Sequence, residues 1–155
     1  MNIVENKDLF ISQATALVSG EENIVTNLSN LSALYKEYLP NTNWIGFYLL
    51  DEKNNNLVLG PFQGKVACTR IPFNKGVCGY CYTTRETIYV EDVHKFPGHI
   101  ACDSATNSEL VVPIIQNDKV VALLDIDSIE FDRFSQEEVE AFSEVTKQVF
   151  EKVIF

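Results

Sequence analysis

The sequence predicts an α+β fold, and three observations carry that expectation. Two stretches with apolar residues at helical spacing come first, apolar strand-like runs joined by short polar turns fill the middle, and a well-capped helix closes the chain. Neighbouring strands joined by short turns imply an antiparallel sheet, here expected to carry its helices on one face.

In "NKDLFISQATALVSG", Phe10, Ala14, Leu17 and Val18 form one helical stripe, and Gly20 is a plausible stop. The next stripe is Ile24, Leu28, Leu31, Tyr35 and Tyr38, closed by Pro40. "NWIGFYLLD" and "NLVLGPF" read as strands around the turn "DEKNNN". "GVCGYCYTTRE" suits a short helix after a glycine turn, "TIYV" a short strand, and residues 91–108 a long loop. A loop of that length in a compact unit is usually functional or disordered, and its aromatic, Pro and Cys content argues against disorder. "ELVVPIIQ" and "KVVALLDIDS" form a predicted hairpin around "NDK". Ser135 and Glu138 make a capping box, Phe134 can staple onto Val139, and Val139, Phe142, Val145, Val149 and Val153 give the last buried stripe.

A length of 155 residues suits one domain, taken here as 1–155, with a sizeable core. No linker, repeat or low-complexity segment divides it, and no apolar run approaches the roughly 20 residues of a membrane span. "MNIVENKDLF" lacks the apolar run of a secretory signal, so a cytoplasmic protein is expected. The net charge of −10 repels phosphate backbones and argues against a nucleic-acid partner. Four cysteines in such a chain are expected to rest reduced, as core filler, metal ligands or redox groups.

Cys102 stands out among them. It lies in "FPGHIACDSATNSELVVPI", beside an aspartate and near two histidines, whereas a structural cysteine usually has apolar neighbours. Cys78 and Cys81 form a CxxC, half of a zinc site or a redox pair, but no second pair at short spacing follows it. Near Gly76 and a helix start, the Cys78 thiolate could be favoured by backbone N–H groups.

Strand alternation places Leu123, Asp125 and Asp127 on one face. Glu109 opens the partner strand and is expected near this acid pair. Crowded carboxyls cannot all ionise cheaply, so at least one should stay protonated and able to donate to a ligand oxygen. The plainer reading is a strand ending in a polar turn. A calcium or magnesium site is disfavoured because no calcium-loop spacing appears. Trp44 and Tyr48 share a face with Gly46 between them, leaving an expected gap that could seat a small apolar or sulfur-bearing group; the alternative is ordinary sheet packing. His94 and His99 suit loop structure, with His99 the better site candidate for its closeness to Cys102.

"IPFNKGVCG", "EDVHKFPGHIACDSATNSELVVPI" and "LLDIDS" resemble the signature of the free methionine-(R)-sulfoxide reductases, stand-alone GAF-fold enzymes. The likeness runs from "NWIGFYLL" to the final helix. It implies a GAF-like fold, a six-stranded antiparallel sheet flanked by N- and C-terminal helices, in a homodimer. It implies the free amino acid as substrate, with Cys102 as nucleophile passing through a sulfenic acid to a disulfide. Cys68 is the first choice of resolving thiol and Cys78 the second, and thioredoxin is the implied reductant. Glu109, Asp125 and Asp127 match the acids that hold the sulfoxide oxygen, and Trp44 and Tyr48 the aromatics of the methyl-sulfur pocket. Cys81 lies outside the family pattern. No cofactor or metal is implied. Two other readings stand beside this one: a GAF sensor that binds without chemistry, and a zinc-stabilised binding module, which stoichiometric zinc in the purified protein would favour.

Overall fold

A computed structural model describes residues 1–99 and 102–155; Ile100 and Ala101, inside the predicted loop 91–108, lie outside the described residues. The chain runs α1 (Lys7–Val18), α2 (Ile24–Glu37), β1 (Trp44–Asp51), β2 (Asn56–Gly64), β3 (Arg70–Pro72), α3 (Gly76–Thr84), β4 (Ile88–Val90), β5 (Ser108–Gln116), β6 (Lys119–Ser128) and α4 (Gln136–Phe150). The six strands form one sheet in the order β3-β2-β1-β6-β5-β4, and every neighbouring pair is antiparallel. The α+β expectation and its six-stranded sheet therefore hold.

Each central strand divides its side chains between two cores. Ile45 and Phe47 of β1, Leu110, Val112 and Ile114 of β5, and Ala122, Leu124 and Ile126 of β6 join the stripes of α1, α2 and α4. Trp44, Tyr48, Val111 and Leu123 point the other way and meet Val77, Cys78 and Cys81 of α3. Helices thus lie on both faces, correcting the one-face expectation; α3 is the exception. In nine residues with Val77, Cys78, Gly79 and Cys81 buried, α3 is too short for its apolar periodicity to show which face of the sheet it covers.

The predicted stripes are largely buried, Phe10, Ala14 and Val18 among them, but Leu17 is exposed and Ile24 and Val139 are half-buried. Asn23 caps α2 by accepting from the Thr26 N–H at 3.0 Å. Ser135 and Glu138 form the reciprocal capping box at α4. Inside, the Tyr35 and Thr146 hydroxyls share a buried 2.6 Å hydrogen bond that joins α2 to α4.

The β5–β6 hairpin turns in two residues, Asn117 and Asp118, both with positive φ, and Lys119 opens β6 as in the predicted strand "KVVALLDIDS". β3 was absent from the sequence reading, since three residues are too few to show alternation. Gly76, at φ +67°, lets the chain pass from β3 into α3 within a few residues and sets Cys78 in the first turn of that helix.

Candidate active site

The register of the three central strands builds the site. Asp127 of β6 pairs with Trp44 of β1 on one side and with Glu109 of β5 on the other. One row along, Asp125 pairs with Gly46 and Val111, and beyond that Leu123 pairs with Tyr48. Because side chains alternate along a strand, all of these rise on the face that α3 covers. Apolar packing fills that face up to Leu123 and gives way at Asp125 to a cavity of about 40 Å³. Its walls include Trp44, Tyr48, Cys78, His99, Cys102, Glu109, Asp125 and Asp127.

Seven of the eight candidate residues thus line one cavity. The eighth, Cys68, is joined to Cys102 by a disulfide with Cα atoms 5.4 Å apart. This bond links the segment after β2 to the segment before β5.

Three carboxyls crowd this space. Burial raises the pKa of Glu109 and of Asp127 well above the ordinary carboxylate range, and the charge of Asp125 adds to both shifts. Asp125 is also raised by burial, but hydrogen bonds from Glu109, the Cys78 thiol and Asp127 pull it back down. Burial thus favours the protonated form at all three carboxyls, and Asp125 is the one whose charge its neighbours' hydrogen bonds support. One oxygen of Asp125 and one of Asp127 are buried with no protein nitrogen or hydroxyl to donate to them. Protons on neighbouring acids, or a ligand, are what such oxygens need.

Cys78 departs from expectation. It does sit in the first turn of α3, yet burial, and then the charges of Asp125 and Glu109, push its thiol well above the ordinary range. Desolvation beside anions outweighs the helix N-terminus. Cys81, the other half of the CxxC, is buried, and its thiol donates to the Glu86 carbonyl at 3.2 Å; burial raises its pKa too. The two thiols have different surroundings: Cys78 borders the cavity, whereas the Cys81 thiol faces the Glu86 and Val111 carbonyls. Cys78 instead groups with Glu109 and Asp125, whose ligand atoms lie within 4.8 Å of one another.

The aromatics also differ from the expected gap. Trp44 stacks between Tyr48 and Phe62, with ring centroids 5.9 and 5.2 Å away. The room left by Gly46 is taken by this stack: a Cβ there would collide with the Phe62 Cβ and come within 2.7 Å of Trp44 Cη2. Trp44 and Tyr48 both line the cavity. Their polar atoms act as pins. Trp44 Nε1 donates to the Lys65 carbonyl at 3.1 Å, and the Tyr48 hydroxyl donates to the Cys68 carbonyl at 2.8 Å. Both hold the segment that carries Cys68.

His99 reaches the cavity, with Nε2 3.9 Å from Glu109 Oε1. Burial lowers its pKa, nearby His94 lowers it further, and Asp125 opposes them. His94 is exposed, and its Nε2 pairs with Asn107 Oδ1 at 2.8 Å.

The GAF domain family matches residues 31–149. The chain is 48% identical over 139 residues to the free methionine-R-sulfoxide reductase of Escherichia coli (strain K12), covering 90% of this chain and 82% of that protein. It is 47% identical over 145 residues to the free methionine-R-sulfoxide reductase of Saccharomyces cerevisiae, covering 90% and 81%. Its backbone matches the X-ray structure of the free methionine-R-sulfoxide reductase of Neisseria meningitidis in complex with its substrate, with a TM-score of 0.91 and 37% identity, covering 98% of this chain and 90% of that one.

The chain belongs to the free methionine-R-sulfoxide reductase family of GAF domains.

Some residues of this free methionine-R-sulfoxide reductase family member escaped the sequence reading. Asn43 Nδ2 donates to Asp103 Oδ2 at 3.0 Å and to Thr106 Oγ1 at 3.1 Å, while its backbone N–H donates to the Asp127 carbonyl. It thereby ties the Cys102 segment to the acid-bearing strand. Asp103 also accepts from the Ala105 N–H at 2.9 Å, closing the turn after Cys102. A lone asparagine before a strand carries no pattern, so only its position beside Trp44 could have drawn notice.

Proposed function

We propose that this oxidoreductase reduces free L-methionine (R)-sulfoxide to methionine, with Cys102 as nucleophile and Cys68 as resolving thiol. The observation that carries the reading is Cys102, bonded to Cys68, in the wall of a cavity also lined by Glu109 and Asp127, whose burial favours the protonated carboxyl. A sulfoxide needs both: a sulfur nucleophile for its sulfur and a proton for its oxygen.

The Cys102 sulfur attacks the sulfoxide sulfur while Glu109 or Asp127 protonates the oxygen. The S–S bond so formed and the substrate S–O bond then break as the oxygen passes to the Cys102 sulfur, leaving Cys102 a sulfenic acid and releasing methionine, reduced by two electrons. The proton lost from the Cys102 thiol restores the carboxyl. The Cys68 thiol then attacks the sulfenic sulfur, forming the Cys68–Cys102 disulfide and releasing water. A dithiol partner, thioredoxin by family resemblance, opens that bond by exchange and is itself oxidised. Trp44 and Tyr48 hold the methyl-sulfur end, and Asp125, hydrogen-bonded to Glu109 and Asp127, orients the two proton donors. Cys78 stays the second choice as resolving thiol, because its buried sulfur is engaged with Asp125. The same proposal takes residues 1–155 as one GAF-like domain, working as a cytoplasmic homodimer in repair of free oxidised methionine. Among the described residues no helix is long and apolar enough to cross a membrane.

The test is turnover of free methionine sulfoxide with a dithiol reductant, following methionine release for the (R) and (S) epimers and for an N-blocked analogue. Release from the free (R) epimer alone, abolished in Cys102→Ser, is expected. A chain that binds methionine sulfoxide and converts none of it is a sensor, and the proposal fails.

A further inference from the structure

The grouping of Cys78, Glu109 and Asp125 contains more chemistry than sulfoxide reduction uses. A thiol and two carboxyls stand with their ligand atoms within 4.8 Å of one another, all three residues buried in the protein but bordering the cavity. Asp125 is only 6% exposed, and one of its oxygens has no protein nitrogen or hydroxyl donor. With the Cys68–Cys102 bond closed, the cavity of about 40 Å³ has room for an ion and one or two waters, since a water needs roughly 10–15 Å³ by this measure.

We propose that Cys78, Glu109 and Asp125 form a binding site for a zinc-class divalent cation. One sulfur and two oxygens from three different elements, α3, β5 and β6, suit a four-coordinate ion whose last position takes water or His99. His99 Nε2 already lies 3.9 Å from Glu109 Oε1. The sulfur sets the preference. Calcium and magnesium require six or more oxygen ligands and gain little from a thiolate, whereas zinc accepts S, O and N ligands at low coordination number. On binding, the ion displaces the Cys78 proton and the carboxyl proton of Glu109, and no electrons move.

Zinc here is an inhibitor rather than a cofactor. It takes Glu109 from its role as proton donor and fills space the sulfoxide oxygen would use. The inhibitory part rests on the sulfoxide-reductase reading; the binding part does not, and is measured without substrate.

The experiment uses the disulfide form of the full chain, in which Cys68 and Cys102 are unavailable, and zinc alone as the probe. Titration against a chromophoric chelator is expected to give one zinc per chain, with magnesium and calcium not competing. Even outer partners of metal ligands are worth about 10–100-fold in affinity, so Cys78→Ser and Asp125→Asn should each weaken binding at least about tenfold. Cobalt(II) added to the unmutated disulfide form should show a thiolate-to-metal charge-transfer absorption, which does not depend on any variant folding. Zinc bound equally well by Cys78→Ser, or cobalt bound without that absorption, overturns the site. Failure of zinc to bind while the dithiol form still turns over sulfoxide overturns this inference alone.

Discussion

Glu109 and Asp127 face each other across the β5–β6 ladder, with both carboxyls turned into the same cavity and both holding protons well above their ordinary values of 4.5 and 3.8. The folded chain therefore keeps protons that the unfolded chain releases. Their contribution to stability is full below the ordinary carboxylate range and is lost as pH rises through the raised folded values. Glu109→Gln and Asp127→Asn should flatten that loss, so each variant gains stability on the parent as pH climbs, while its turnover collapses. Urea unfolding from pH 4 to 9 measures this; parallel curves for parent and variants would contradict it. Asp51, whose carboxylate is lowered by Asn54 and Arg70, works in the opposite sense and cancels in the comparison.

Replacing the resolving thiol separates the two halves of the proposed cycle. Cys68→Ser should release about one methionine per chain and then stall as the Cys102 sulfenic acid, which a dimedone-type reagent captures. Cys78→Ser should keep turning over with dithiol reductant. Sustained turnover by Cys68→Ser at the parent rate would move the resolving role to Cys78.

Tyr48→Phe keeps the ring but loses the hydrogen bond to the Cys68 carbonyl. The expected cost is about 1 kcal/mol of stability. Its kinetic signature is slower disulfide formation after an unchanged first release of methionine, read by rapid quench and mass mapping. A change confined to the affinity for sulfoxide would instead make Tyr48 only part of the pocket wall.

Gly46→Ala drives a methyl group into Phe62 and the edge of Trp44. Overpacking of this kind costs about 1–3 kcal/mol. Because Trp44 borders the cavity, the variant should also raise KM for sulfoxide. A stable variant with parent kinetics would show that the stack yields freely.

Much of this architecture was legible because the relevant signals are periodic. Alternation in "VVALLDIDS" put Asp125 and Asp127 on one face, and the short hairpin brought Glu109 opposite Asp127. The Ser135–Glu138 cap marked the start of α4 to the residue. The polar neighbours of Cys102 singled out a cysteine that borders the cavity. What escaped depends on contacts between distant segments. Nothing local tells that Asn43 holds Asp103, that Phe62 claims the space over Gly46, or that α3 crosses to the other face of the sheet. The state of Cys78 was misjudged for a related reason: its helix position is written in the sequence around it, whereas the anions beside it arrive from β5 and β6.

The bond between Cys68 and Cys102 joins two stretches 34 residues apart beside a cavity of about 40 Å³, room for little more than solvent. An amino acid cannot lodge until a reductant has come and gone. On the proposed reading, sulfoxide and reductant must take turns, so double-reciprocal rate plots against one at several fixed levels of the other should run parallel, with no shared complex of all three.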